Sequence, residues 1–321
     1  MRHFFYIVVG GTFAVACGII LAIAGKHILV SISPNLAQWK LSSLSSFVGA
    51  VMSEPNDGTS ISGIKRIIRY SASEEEGLMT LVTLSIKNLS AGPISANAYI
   101  VKDLKTGKIV TEYNANKLLP IASLTKLVTA SVAKRLIKPD SRIEISKDIS
   151  SVYGNTAEFK VGETLLAKEL LYPLLMVSSN DAAEALARNY GRQKFLKAMN
   201  DFVQEIGAYR TTFTDPSGLS PNNRSTASDV AIILAWLKIN DPDLIAITEL
   251  KTKTTRFHTW VNPAHFLSWS NYRGGKNGYT SEANRTGAGL FEMGKNKDIY
   301  VVVVLGSKAR DNDMVKLLGK I

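Results

Sequence analysis

The chain carries one cysteine, Cys17, in 321 residues. A lone thiol excludes an internal disulfide and any cysteine-based zinc site. Histidine is nearly as scarce, and His3, His27, His258 and His265 are too scattered to suggest a metal cluster. Acidic residues are in deficit, 27 against 38 Lys and Arg, for a net charge of +11. Such a surplus favours anionic partners. The basic residues are dispersed rather than clustered with aromatics, and the motifs of a nucleic-acid binder are missing. Nucleic acid is therefore not expected; an anionic envelope polymer, a membrane surface or plain solubility fits the charge. One long apolar run stands out. Phe4 to Ala24 is uncharged over 21 residues, with Arg2 before it and Lys26 after it. That length spans a bilayer core and exceeds an ordinary secretory segment. An N-terminal membrane anchor with the rest of the chain outside the cytoplasm is expected. Ala22-Ile23-Ala24 leaves cleavage after Ala24 as the alternative.

What the chain does have is organised around Pro120-Ile121-Ala122-Ser123-Leu124-Thr125-Lys126-Leu127-Val128. On a helix, residues three apart share a face. Ser123 falls near the first turn, where free N–H groups favour developing negative charge. A serine hydroxyl needs a base to become a nucleophile, and Lys126 serves if its ammonium is made to titrate low. Ser-x-x-Lys alone also occurs by chance on solvated helix faces.

Residues 1–30 read as the anchor or signal segment and 31–92 as a stalk or linker, with helical pieces around Leu36 to Val51 and a strand near Leu78 to Leu84. The catalytic domain is expected over 93–321. There, Ala98 to Lys102 and Ile109 to Tyr113 form a hairpin around Lys105-Thr106-Gly107-Lys108. Helical periodicity covers Ser123 to Arg135, Leu165 to Val177, Asp181 to Tyr190, Gln193 to Gly207 and Ala227 to Ile239. Strands return after Tyr272, including Gly287 to Met293 and Ile299 to Leu305, and a final helix covers Met314 to Lys320. Strands, then helices, then strands predict an α+β domain with a helical insertion.

Two more motifs follow. Ser178-Ser179-Asn180-Asp181 lies between helices and reads equally as an N-cap. Lys276-Asn277-Gly278 precedes strand-forming residues and reads equally as a hairpin turn. In the order Ser-x-x-Lys, Ser-x-Asn, Lys-x-Gly, the set resembles the penicillin-binding proteins and serine β-lactamases. Asp215-Pro216-Ser217-Gly218-Leu219 and Ser225-Thr226-Ala227-Ser228-Asp229 narrow the likeness to the low-molecular-mass D-alanyl-D-alanine carboxypeptidases, over roughly residues 93 to 310.

The resemblance implies a β-lactamase/transpeptidase-like fold: an antiparallel sheet flanked by helices, with a helical subdomain. It implies a serine D,D-carboxypeptidase that trims the terminal D-alanine of peptidoglycan stem peptides through an acyl-enzyme, is acylated by β-lactams and needs no metal or organic cofactor. Ser123 would attack, Lys126 would take its proton, and Ser178 would relay a proton to the leaving nitrogen. Asn180 would hold the acyl-side amide, and Lys276 would help seat the terminal carboxylate. Gly278 belongs to that third motif, the N–H groups of Ser123 and Tyr279 would form an oxyanion hole, and Thr280 would contact the carboxylate, with Arg285 a weaker candidate there. Asn277 departs from the family, which has a hydroxyl residue at that place, so altered specificity is expected. Three alternatives stay open: a D,D-endopeptidase, a β-lactamase and a non-catalytic scaffold. The Thr214-Asp215-Pro216-Ser217-Gly218 region lacks the Glu-x-x-x-Asn pattern of class A β-lactamases.

Overall fold

The computed structural model describes residues 93–154 and 156–321, and before them the backbone of four strands. The chain divides into two compact units, Met1–Pro93 and Ile94–Ile321.

In the first unit, Gly18–Ile23 pairs antiparallel with Lys26–Ser31, and Lys65–Tyr70 with Thr80–Ser85. Gly18–Ile23 lies inside the apolar run expected to be a spanning helix, and here it is a strand. The remainder of that run falls outside the described residues, as do the helical pieces expected around Leu36 to Val51. Among the described residues no helix is long and apolar enough to cross a membrane.

The second unit is built on a five-stranded antiparallel sheet. Its spatial order is Tyr272–Thr280, Asn284–Met293, Asp298–Ser307, Ala98–Asp103, Ile109–Tyr113. The run Tyr300-Val301-Val302-Val303-Val304-Leu305 explains the central position of its strand. Side chains alternate between faces, so an unbroken apolar run needs cover on both. Val301, Val303 and Leu305 join the larger core, whereas Val302 and Val304 join a smaller one with Phe266, Phe291 and Met314.

The larger core is the helical layer. Helix Ala227–Asn240 lies against the central strands, and its cap is encoded locally: Thr226 Oγ1 accepts from Asp229 N at 3.0 Å. Helices Thr125–Leu136, Ala167–Met176, Asn180–Tyr190 and Arg192–Glu205 build outward from it, and Pro242–Glu249 extends the helical block beyond Ile239. Helix Arg310–Leu318 packs on the opposite side of the sheet, through Met314 and Leu317 in the smaller core.

Candidate active site

The turn that presents Ser123 is strained. Ala122 has φ +49°, a left-handed conformation that costs an alanine on the order of 1 kcal/mol or more. Three neighbours hold it. Thr286 Oγ1 donates to Ile121 O at 3.0 Å, Ile121 N donates to Asn223 O at 3.1 Å, and Gly218 presses on Ala122 from the third side. A Cβ on Gly218 would stand 2.0 Å from Ala122 O, and its own φ is +91°, so glycine is required there. A short 3-10 turn, Ala122–Leu124, leads into helix Thr125–Leu136, which carries Lys126 beneath the serine.

Lys126 is fully buried. Its Nζ lies 3.0 Å from Ser123 Oγ and donates to Asn180 Oδ1 at 2.7 Å and to Ser217 O at 2.6 Å. Burial holds its ammonium well below the usual lysine range, and the charge of Lys276 pushes the same way; Asp215 and Asp181 oppose them. A neutral amine has two N–H groups and one lone pair. Asn180 and Ser217 take the two donors, which leaves the lone pair for the Ser123 hydroxyl. That geometry lets Lys126 accept the hydroxyl proton of Ser123.

Helix Ala167–Met176 ends ahead of Ser178, which turns the chain at φ +63°, and Ser179 Oγ caps the next helix by accepting from Ala182 N at 2.9 Å. Ser178 Oγ is buried without a hydrogen-bond partner among the described residues and lines the same cleft as Ser123. A buried hydroxyl in that condition is available to a ligand. Asn180 has contacts within the protein beside the role implied by resemblance. Its Oδ1 accepts from Lys126, and its Nδ2 donates to Tyr153 O at 2.7 Å, so its first task is to orient the lysine. One hydrogen of Nδ2 and one lone pair of Oδ1 remain for a substrate amide.

Lys276-Asn277-Gly278 is not a turn. It runs along edge strand Tyr272–Thr280, in register with Ala288, Gly287 and Thr286. Gly278 allows that strand to approach Ser123, since a Cβ there would meet Ser123 N at 2.8 Å and Thr286 Oγ1 at 2.6 Å. Tyr279 follows, exposed on the cleft rim, and Thr280 Oγ1 accepts from Ala283 N at 3.1 Å. The Lys276 ammonium is buried and donates to Asn277 O at 2.9 Å. Burial, then the nearby Arg310 charge, lowers it to about 7.

Ser123, Ser178, Asn180, Lys276, Gly278, Tyr279 and Thr280 thus line one cleft of about 320 Å³, with Lys126 directly below. Two features were not anticipated from sequence. Arg310, at the start of the helix Arg310–Leu318, lines this cleft. Arg285 does not; its guanidinium sits 5.6 Å from the Tyr279 ring centre on the exposed side. The second feature is the Asp215 loop. Asp215 accepts from Ser217 N, Ser217 Oγ, Gly218 N and Ser220 N, each at 2.7 Å, and so aims Ser217 O at Lys126.

A sequence model of the D-alanyl-D-alanine carboxypeptidase family of peptidases matches residues 85–309. The chain belongs to this family. It is 31% identical over 254 residues to the Escherichia coli D-alanyl-D-alanine carboxypeptidase DacC, which covers 72% of this chain and 62% of that protein. It is 35% identical over 159 residues to a Haemophilus influenzae D-alanyl-D-alanine endopeptidase, across 48% of this chain and 54% of the relative. The chain therefore spans about half the length of that endopeptidase. A Listeria monocytogenes penicillin-binding protein, solved with cefotaxime bound, superposes with a TM-score of 0.64 at 29% identity, covering 71% of this chain and 98% of the other. Membership of the family accounts for the β-lactamase/transpeptidase-like sheet flanked by helices.

Proposed function

We propose that the protein is a serine D,D-carboxypeptidase acting on peptidoglycan stem peptides. The carrying observation is the buried amine of Lys126, 3.0 Å from Ser123 Oγ with its other two contacts on Asn180 and Ser217. Lys126 takes the hydroxyl proton as Ser123 Oγ bonds to the carbonyl carbon between the two D-alanines. The carbonyl oxygen becomes an oxyanion held by the N–H groups of Ser123 and Tyr279; one such donor is worth about 3–4 kcal/mol in the transition state. The bond to the leaving nitrogen breaks as Ser178 passes it a proton and takes one in turn from the Lys126 ammonium, which returns that amine to its neutral form, and the terminal D-alanine departs. Water then attacks the ester, gives up a proton to Lys126, and releases the shortened peptide with Ser123 restored. Lys276 and Arg310 supply the positive charge that seats the terminal carboxylate.

A β-lactam presents a strained amide and a carboxylate to the same groups and stops at the ester. Intact mass after penicillin exposure, with peptide mapping, tests this: an adduct on Ser123 is expected, and its absence rules the reading out. The 35% identity to an endopeptidase supports a second activity, cleavage of D-alanyl cross-links. Chromatography of a pentapeptide digest beside a digest of cross-linked dimers separates the two.

The same reading places the domain outside the cytoplasm, where its substrate lies, tethered through the apolar run Phe4 to Ala24. Support for the tether is the composition of that run alone. Retention in membranes after alkaline extraction tests it.

A further inference from the structure

Ser95, two residues beyond the boundary at Pro93, is bonded to residues more than two hundred positions away. Its N–H donates to both carboxylate oxygens of Asp313 at 3.0 Å, and its hydroxyl donates to Asp313 Oδ2 at 2.7 Å. Ser307 Oγ donates to that same oxygen at 2.7 Å. Ser95 Oγ also accepts from Lys308 N at 3.1 Å and Ala309 N at 3.2 Å, and Ser307 Oγ accepts from Ala309 N at 3.0 Å. Asp313 is 1% exposed. A carboxylate so deeply buried is tolerated only when its lone pairs are filled, and here serine donors fill them.

These bonds surround Ser307, Lys308 and Ala309, the three residues before Arg310. Helix Arg310–Leu318 has no side-chain cap of its own at Ala309. The direction of its first turn is set by the Ser95 cluster instead. On the sheet side the stem of Arg310 lies over Gly287, where a Cβ would meet its Cδ at 2.6 Å. Asp311 engages Nε at 2.7 Å and Nη2 at 3.0 Å, which restricts the head group. The guanidinium in the cleft is thus fixed from three directions, and only one of them reaches back to the beginning of the domain.

We propose that Ser95 is a positioning residue for Arg310: through Asp313 and Ser307 it sets where the guanidinium stands in the cleft, and hence the preference for substrates that end in a free carboxylate. This rests on the assignment of Arg310 to the anionic terminus made above. Arg310 reads the substrate; Ser95 holds the reader.

The test uses the full chain, assayed on a peptide ending in D-alanyl-D-alanine and on its C-terminal amide. Ser95→Ala lowers kcat/KM on the acid about tenfold, chiefly through KM, as expected for loss of bonds to a charged group, and changes the amide less than about twofold. Ser95→Thr, which keeps the hydroxyl, restores the preference. In an Arg310→Leu background, Ser95→Ala has no further effect on the acid, because the two act through one group. Ser307→Ala gives the same acid-to-amide shift should Ser95→Ala fold poorly. Equal losses on both substrates, or additive effects in the double variant, overturn the proposal. An inactive parent chain overturns the peptidase reading itself; an active parent with an unaltered acid-to-amide ratio in both serine variants removes Ser95 alone.

Discussion

Lys126 Nζ donates to the main-chain carbonyl of Ser217 at 2.6 Å, across 91 positions of sequence. That contact joins the Ser-x-x-Lys device to the Asp215 loop. It decides which way the lysine lone pair points. With the carbonyl and the Asn180 amide holding two hydrogens, the remaining direction is toward Ser123. The following expectations rest on this geometry and on the charges around it.

Asp181 is fully buried, and Asp181 Oδ2 has no hydrogen-bond partner among the described residues. Burial pushes its carboxyl up to about 6, while its negative charge helps Lys126 keep its proton. Asp181→Asn removes that charge, so Lys126 deprotonates at still lower pH. The acid limb of the kcat/KM profile for penicillin acylation moves down. Stability follows a separate sign. A carboxyl raised in the folded state is a cost that sets in between its unfolded value near 4 and about 6 and persists above. Asp181→Asn therefore raises the melting temperature at pH 7.5 relative to the parent, and not at pH 3.5.

Lys276 titrates in the opposite functional sense. Its ammonium is charged below about 7 and loses its charge as the pH rises through that value. If that charge seats the carboxylate, kcat/KM falls on the alkaline side near pH 7. A bound carboxylate favours the ammonium, so the alkaline limb of kcat lies higher than that of kcat/KM. Rate profiles between pH 5 and 10 separate the two limbs. Lys276→Met removes the alkaline limb.

Gly218→Ala probes the loop that aims the carbonyl. The new Cβ would stand 2.0 Å from Ala122 O and 3.0 Å from Ser123 N, on backbone already at φ +91°. No flexible side-chain end is available to move aside. The expected cost is about 4 kcal/mol or more, at the diagnostic end for single substitutions. Urea denaturation measures it, and any folded fraction acylates slowly, because Ser217 O no longer meets Lys126.

Arg310→Leu and Arg285→Ala form a matched pair. Loss of a cleft guanidinium that pairs with a carboxylate raises KM for the peptide acid by about tenfold to a hundredfold, corresponding to ~1.4–2.8 kcal/mol. Arg285 faces solvent over Tyr279, so Arg285→Ala changes KM less than about threefold. Steady-state kinetics on one peptide decide between the two arginines.

Asn277 lines the cleft beside Lys276. Asn277→Thr replaces an amide with the shorter hydroxyl that the family resemblance implies at this place. It raises the rate constant for penicillin acylation relative to peptide turnover, read by stopped-flow against a parallel peptide assay.

Several elements were legible because local pattern and burial agree. The run Ile299 to Leu305 announces a strand, and that strand lies at the centre of the sheet. Helical periodicity over Ala227 to Ile239 announces a helix, and the helix spans Ala227–Asn240. Asn277-Gly278 misleads, because the local hairpin preference loses to packing. The turn lies further on, between Thr280 and Asn284, while Gly278 remains in the strand to clear Ser123 N.

The order of three polar motifs in a single chain was enough to carry the family resemblance, and through that resemblance the expected reaction class. It was also enough to place Ser123 and Lys126 on one helix turn, where contact follows from three-residue periodicity. Only the tertiary structure revealed that Asn180 is engaged by Lys126, that Ser217 contributes a carbonyl, and that Arg310 rather than Arg285 reaches the cleft. Those facts depend on which distant backbones meet, and close packing of one segment against another leaves no periodic trace along either.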